Sequence, residues 1–372
     1  MWESGAGRFD SGMQKNVRGL LSLSAYGIIE AIESIFDSIQ HKGETMGFSI
    51  GEAVCPLGLS LGPMAGYSDH AMRTVCHREG AEYAVSEMVS AKAICYGDKK
   101  TAPLARIGAG EGPVAIQIFG SEPVFMAEAA RRIEEGFAGG LQPVAIDINM
   151  GCPVHKIVSN REGSALMRQP SLVCKIVEAV RMAVSLPVSV KIRAGWDEYE
   201  RNAVEVAHAC EAGGASLLTV HGRTRAQMYA GEADYAVIAD VAGAVSIPVI
   251  GNGDVRGIDA CRRLLDDCGC AGVMVARGAV GNPFIFGELR AALLGEVYEP
   301  PTLARRLSVA REQVLLASEE KGEAVAVRES RKQLAAYLHG RRGAASLRAL
   351  INSAESMAEI DSLLERALEQ EG

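Results

Sequence analysis

Cys152 stands between Gly151 and Pro153, just past an apolar, β-branched run, whereas most of the other cysteines sit inside apolar patterns that read as packing. A loop cysteine can release a proton as a general acid, or attack carbon as a nucleophile. No partner base stands near it in sequence, which favours the acid; a structural thiol is the plain alternative. Lys191 is the second chemical group. Side chains alternate along 188–193, so Lys191 and Arg193 share one face, with Val188, Val190 and Ile192 on the other. A lysine enclosed among strands is costly unless it meets an anion or a polar ligand. A structural ion pair would satisfy it, and so would a flavin ring, whose N1 and C2 carbonyl gain negative charge on reduction. His221 is the third. A lone strand histidine is more often a satisfied core residue. Here it precedes Gly222-Arg223-Thr224-Arg225, where contact with phosphate or a pyrimidine carbonyl is the sharper reading.

Such groups need a frame that brings them together. Short apolar runs recur at 59–64, 83–88, 114–119, 144–149, 188–193, 217–221, 248–252 and 272–276, separated by helical patterns. Strands alternating with helices over about 220 residues predict a (β/α)8 TIM barrel, with a doubly wound open sheet as the alternative. The runs are nearly continuous in hydrophobicity, as strands covered on both faces must be. In such a barrel, function gathers at the C-terminal strand ends. The residues found there are Pro63, Met64, Ala65 and Gly66; Gln117; Asn149 to Pro153; Lys191 and Arg193; His221; Asn252, Gly253 and Asp254; and Ala276, Arg277 and Gly278. The last two loops suit a phosphate, because their glycines let backbone N–H groups approach and Arg277 adds a fork of donors.

After Pro300-Pro301 only helical patterns remain, at 303–319, 326–339, 344–354 and 357–369. Residues 301–372 are therefore expected to form an all-helical domain behind a barrel at 46–300. The helical part carries Arg328, Arg331, Lys332, Arg341, Arg342 and Arg348, either a solvated face or a phosphate-contacting surface. Residues 1–45 read differently. Leu21, Ala25, Ile28, Ile29, Ile32, Ile35, Phe36 and Ile39 recur at helical spacing, but Glu30, Glu33 and Asp37 interrupt any signal-peptide pattern. Met46 looks like a natural start, so 1–45 is expected to be a dispensable extension or upstream translation.

The 372 residues are 48% hydrophobic and 23% charged, which supports a large core and excludes disorder. A net charge of −8 argues mildly against a nucleic-acid binder, although phosphates respond to local charge. Nine irregularly spaced cysteines read as reduced cytosolic thiols, not a disulfide framework. Cys261, Cys268 and Cys270 lack a fourth ligand at zinc-finger spacing, so no metal is expected. No stretch approaches the ~20 apolar residues of a membrane span, and a cytoplasmic location follows.

Taken together, these residues resemble the tRNA-dihydrouridine synthase family, most closely its bacterial B-type branch. The resemblance covers roughly residues 46–370 and rests on ordered motifs. They are Pro63-Met64-Ala65-Gly66, Ser86-Glu87-Met88, Ile146-Asp147-Ile148-Asn149-Met150-Gly151-Cys152-Pro153, Gly163-Ser164-Ala165-Leu166, Lys191-Ile192-Arg193-Ala194-Gly195-Trp196, His221-Gly222-Arg223-Thr224-Arg225 and Asn252-Gly253-Asp254. The resemblance implies FMN against Pro63, Met64 and Ala65, with Gln117, Lys191 and His221 at its ring. It implies Asn252, Gly253, Asp254, Ala276 and Arg277 at its phosphate, and Cys152 as the catalytic acid. Asn149, Arg193, Arg331 and Lys332 are expected at the substrate, a tRNA, with NADPH or NADH as reductant and the protein a monomer. The family has Gly where this chain has Ala276, and commonly Trp where it has Phe284; its helical domain is also somewhat short for the B-type branch. Two rivals are an FMN barrel acting on free pyrimidine or dihydroorotate, and an RNA-binding barrel without cofactor. The first would not need a basic helical tail or the loop from Gly151 through His155, Lys156, Asn160 and Arg161. The second would not need Cys152, Lys191 and Asn252 intact.

Overall fold

The computed structural model describes residues 46–339 and 344–370. The expected extension at 1–45, with its amphipathic pattern, and Arg341 and Arg342 lie outside the described residues. Two short strands, β1 (Phe48–Ile50) and β2 (Ala53–Cys55), form an antiparallel hairpin. Phe48, Ile50, Ala53 and Cys55 pack against Tyr83, Ala115, Ala145, Leu217 and Ile250, which lie at or near the starts of their strands. The hairpin thus closes the N-terminal end of a barrel. Three-residue strands are too short for alternation to reveal, and the sequence reading contains no hairpin here.

The barrel strands are β3 (Leu59–Leu61), β4 (Tyr83–Val85), β5 (Val89–Ser90), β6 (Val114–Phe119), β7 (Ala145–Asn149), β8 (Val188–Arg193), β9 (Leu217–His221), β10 (Val249–Asn252) and β11 (Gly272–Val275). Every pairing among them is parallel, and β4 joins β6 to close the ring. The expected TIM barrel is therefore present. One expected strand differs. The run 83–88 divides into β4, beside the first half of β6, and β5, beside its second half. Between them the Ser86 hydroxyl takes over a ladder bond, accepting from the Gln117 N–H at 3.0 Å. Glu87, freed from the ladder, accepts the Gly66 N–H at 2.6 Å.

Four helices follow the barrel: Leu303–Lys321, Glu323–Tyr337, Ala344–Ile351 and Met357–Glu369. The second starts earlier and the third ends earlier than expected. The first begins where the Thr302 hydroxyl caps the Arg305 N–H, and breaks at Gly322, which lies at φ 79°. Their apolar faces share one cluster with barrel residues Val75 and Phe284. Phe284, where the family commonly has Trp, is buried in that cluster. Lys321 pairs with Asp69 at 2.7 Å and Arg305 with Glu79 at 2.6 Å, fastening the helices to the first βα unit.

Candidate active site at the barrel mouth

The barrel interior carries a line of buried polar side chains that leads to Cys152. Ser189 Oγ donates to Asp147 Oδ1 at 2.6 Å, and Gln117 Nε2 donates to Asp147 Oδ2 at 2.6 Å. Asn149 Nδ2 donates to Gln117 Oε1 at 2.8 Å. Asn149 Oδ1 then accepts the backbone N–H groups of Gly151 (3.2 Å) and Cys152 (2.9 Å). Burial pushes the Asp147 carboxyl up, opposed by its bonds to Ser189 and Gln117 and by Lys191. The role of Asp147 was missed in the sequence, yet alternation along β7 places it on the same face as Asn149.

The Cys152 loop is held from three other sides. Arg193 Nε donates to the Gly151 carbonyl at 2.7 Å, while its Nη1 reaches the carbonyls of Thr224 and Met228. Ser164 gives both its N–H and its hydroxyl to the Cys152 carbonyl, at 3.1 and 2.9 Å. Gly163, at φ 59°, leaves no room for a side chain: a Cβ would stand 3.0 Å from that of Cys152. The thiol is only partly exposed. Desolvation raises its pKa, against smaller lowering by the Val154 N–H and Arg193. It is thus a protonated thiol at neutral pH, as an acid requires.

Lys191 stands on the neighbouring strand β8, level with Asn149, and its side chain reaches to β10. Its Nζ donates to Asn252 Oδ1 at 2.9 Å, and Asn252 Nδ2 donates to the Met274 carbonyl at 2.8 Å. Desolvation, aided by Arg193 and opposed by Asp147, lowers its pKa to about 7. His221 is held well below the ordinary histidine range by burial and by the cations Lys191, Arg193, Arg223 and Arg277, so its imidazole is neutral. Its ring stands beside Gly253, where a Cβ would come within 3.3 Å of Cδ2.

The loops after β10 and β11 make a cationic corner. Gly253 lies at φ 137° and Asp254 at φ 52°. The Asp254 carboxylate accepts from Ala233 N–H (2.9 Å) and pairs with Arg223 (2.8 Å) and Arg277 (3.5 Å). Arg277 also covers the Tyr229 ring, 5.0 Å from its centroid. Arg223 is buried, and its Nη1 is a donor without a partner. Sequence reading gave Arg223 no role; the signal, an arginine two residues past a strand end, is weak alone.

Several expected residues stand differently from their sequence reading. Gln117 is fully buried with both ends of its amide engaged by Asp147 and Asn149. Asn252 is engaged with Lys191 and Met274, and the cationic corner beyond it holds Gly253, Asp254 and Arg277. Arg331 donates to the Ala354 carbonyl at 2.8 Å and ties the second tail helix to the loop between the third and fourth. Lys332 does reach the mouth: its Nζ lies 4.0 Å from the Tyr67 ring centroid, beside Gly66. Pro63 and Met64 are half-buried and Ala65 is exposed at that same rim. Ala276 lies next to Gly62, so its extra methyl faces a residue without a side chain.

A parallel barrel carries a cysteine loop, a strand lysine and a cationic corner at one mouth, and known proteins share the sequence that builds it. The family model described as Dihydrouridine synthase (Dus) matches residues 60–371. The chain belongs to the dihydrouridine synthase family. It is 41% identical over 304 residues to a probable tRNA-dihydrouridine synthase of Treponema pallidum, covering 79% of this chain and 88% of that protein. It is 41% identical over 305 residues to tRNA-dihydrouridine synthase B of Pseudomonas aeruginosa, covering 82% and 90%. Among solved structures, histamine dehydrogenase from Rhizobium sp. 4-9 superposes with a TM-score of 0.51 at 14% identity, over 77% of this chain and 50% of that one. That likeness is one of fold. This dihydrouridine synthase family member also has no helix, among its described residues, long and apolar enough to cross a membrane.

Proposed function

We propose that this chain reduces uridine to 5,6-dihydrouridine in tRNA, with FMN held across the barrel mouth and NADPH or NADH as the source of electrons. The observation that carries the reading is the Cys152 loop, fixed from four sides at the mouth that Lys191 also occupies, in a member of the dihydrouridine synthase family.

The residues suit a flavin phosphate. Arg223 Nη1 is a buried donor with nothing to bond, Arg277 lies beside it through Asp254, and Gly253 opens the backbone. An anion there would satisfy all three. Pro63, Met64 and Ala65 would line the ring edge, and Lys191, oriented by Asn252, would face the ring. A flavin held by these residues would supply the hydride for uracil C6.

The protein's own groups do the rest. The target base leaves its stack at a cost of a few kcal/mol and enters the mouth. Neutral His221 and Lys191 would stabilise charge growing on the pyrimidine carbonyls. The Cys152 thiol gives its proton to C5, and its thiolate recovers one from solvent. Arg193 and Asn149 act through the Cys152 loop, as positioning residues. Lys332 and the exposed cations of the rim would meet tRNA phosphates. Nine free cysteines accord with a cytoplasmic location, and a single copy contains every residue invoked, so a monomer is expected to act. The arrangement, a barrel at 46–300 with a tRNA-gripping helical domain at 301–372, is part of the proposal.

The test is twofold. Purified protein should absorb at about 450 nm and release FMN on denaturation, and tRNA from cells lacking the gene should lose dihydrouridine at one position or more, restored by the gene. Turnover on free uracil or dihydroorotate, with tRNA left unmodified, would favour the free-pyrimidine rival.

A further inference from the structure

Beside the Cys152 loop lies a second concavity, a cavity of about 800 Å³ between the ends of β5 and β6 and the segment 156–172. Its floor holds Glu162, which is only 8% exposed. Its carboxylate has no hydrogen-bond or ion-pair partner among the described residues. Desolvation pushes its pKa up against the attraction of Lys92 on the same wall, so a hydrogen-bond donor entering the cavity would stabilise its ionised form. The wall includes the Phe119 ring at the end of β6. The lip carries Lys156 and Arg161, both exposed and neither with an ion-pair partner among the described residues. Arg161 is held at φ 61°, a left-handed backbone that an arginine rarely adopts. Lys92, the remaining cation, is paired with Glu122 at 2.5 Å.

We propose that this cavity is a subsite for the RNA nucleotide next to the target uridine, with Glu162 accepting a hydrogen bond from that nucleotide and Lys156 and Arg161 holding its phosphate. The proposal rests on the tRNA reading above. Three features select a nucleotide: an aromatic face on which a base can stack, a buried acceptor for a base N–H or ribose hydroxyl, and paired cations at the exit. Position selects the neighbour. Glu162 directly precedes Gly163 and Ser164, the residues pressed against Cys152, so a ligand here sits one short step from the reacting base. Enzymes that extrude a base commonly gain context preference from flanking nucleotides. A nicotinamide dinucleotide would present the same chemical groups. The cavity has no glycine-rich strand-to-helix turn of the kind that cradles a pyrophosphate, which favours RNA.

The experiment measures tRNA affinity against salt, and NAD(P)H-driven flavin bleaching, for wild type, Glu162→Gln, Glu162→Ala and Arg161→Ala as flavin-loaded proteins. Flavin content and melting temperature report folding. The expected result is a loss of tRNA affinity of about tenfold for each Glu162 variant. Arg161→Ala should weaken binding and reduce the slope of log affinity against log salt by about 0.7. Bleaching rates should stay within about twofold throughout. Unchanged tRNA affinity in folded variants, or weakened NAD(P)H bleaching with tRNA binding intact, would overturn the subsite. Failure of the wild type itself to bind or reduce tRNA would instead sink the tRNA reading.

Discussion

The cost of a polar barrel interior is concentrated at Lys191. Its pKa of about 7 is set chiefly by desolvation, and an unfolded lysine titrates at about 10.4. Between those values the unfolded chain keeps a proton that the folded protein has released, so stability rises with pH across the window. Below about 7 both states are charged and the penalty is full. In flavin-free protein, Lys191→Met is expected to raise stability near neutral pH by an amount on the order of a few kcal/mol, and to remove that part of the pH slope. Urea titrations of both proteins across the window measure the difference. Identical slopes would mean that Lys191 keeps its proton in the folded protein. The same substitution should abolish uridine reduction, the pattern of a residue kept for function at the expense of stability.

At the level of elements, the decisive contact is between the 163–168 turn and the loop after β7. Gly163→Ala would push a methyl into Cys152, at 2.9 Å from its carbonyl oxygen and 3.0 Å from its Cβ, on a backbone at φ 59°. The expected cost is about 1–3 kcal/mol of stability, with uridine reduction falling about a hundredfold as the thiol is displaced. Melting curves and single-turnover assays check both. Gly243→Ala, in the helix Tyr235–Ala244 with nothing within 4 Å, is the control and should be neutral or slightly stabilising. If the two variants behave alike, the turn does not position the cysteine.

Elements also mark how far the sequence could be read. The eight barrel strands were legible because buried parallel strands are apolar on both faces and end in small or polar residues. Cys152 was legible because it breaks that pattern beside Gly and Pro. The β1–β2 hairpin was not, since three residues give no period. The break between β4 and β5 depends on one hydroxyl, Ser86, replacing a backbone bond, and no local pattern announces that. Asn252 and Gln117 were expected at a ligand, but only coordinates reveal that their amides already serve Lys191 and Asp147. Glu162 was invisible, because an unpaired carboxylate is a statement about what is missing around it.

Over the whole molecule the net charge is −8, so attraction for tRNA phosphates has to come from local cations. Lys332 lies beside the Tyr67 rim, Arg277 follows β11, and Lys156 and Arg161 line the cavity beside the Cys152 loop. The tail helices extend the barrel core through Val75 and Phe284, and they bring Lys332 to the Tyr67 rim. The most direct test is to reduce the bound flavin anaerobically, mix it rapidly with unmodified tRNA, and follow reoxidation in wild type and Cys152→Ala. The variant should keep its flavin and its reduction by NAD(P)H, while reoxidation by tRNA slows by about a hundredfold or more. Reoxidation at the wild-type rate, with dihydrouridine formed, would contradict the account.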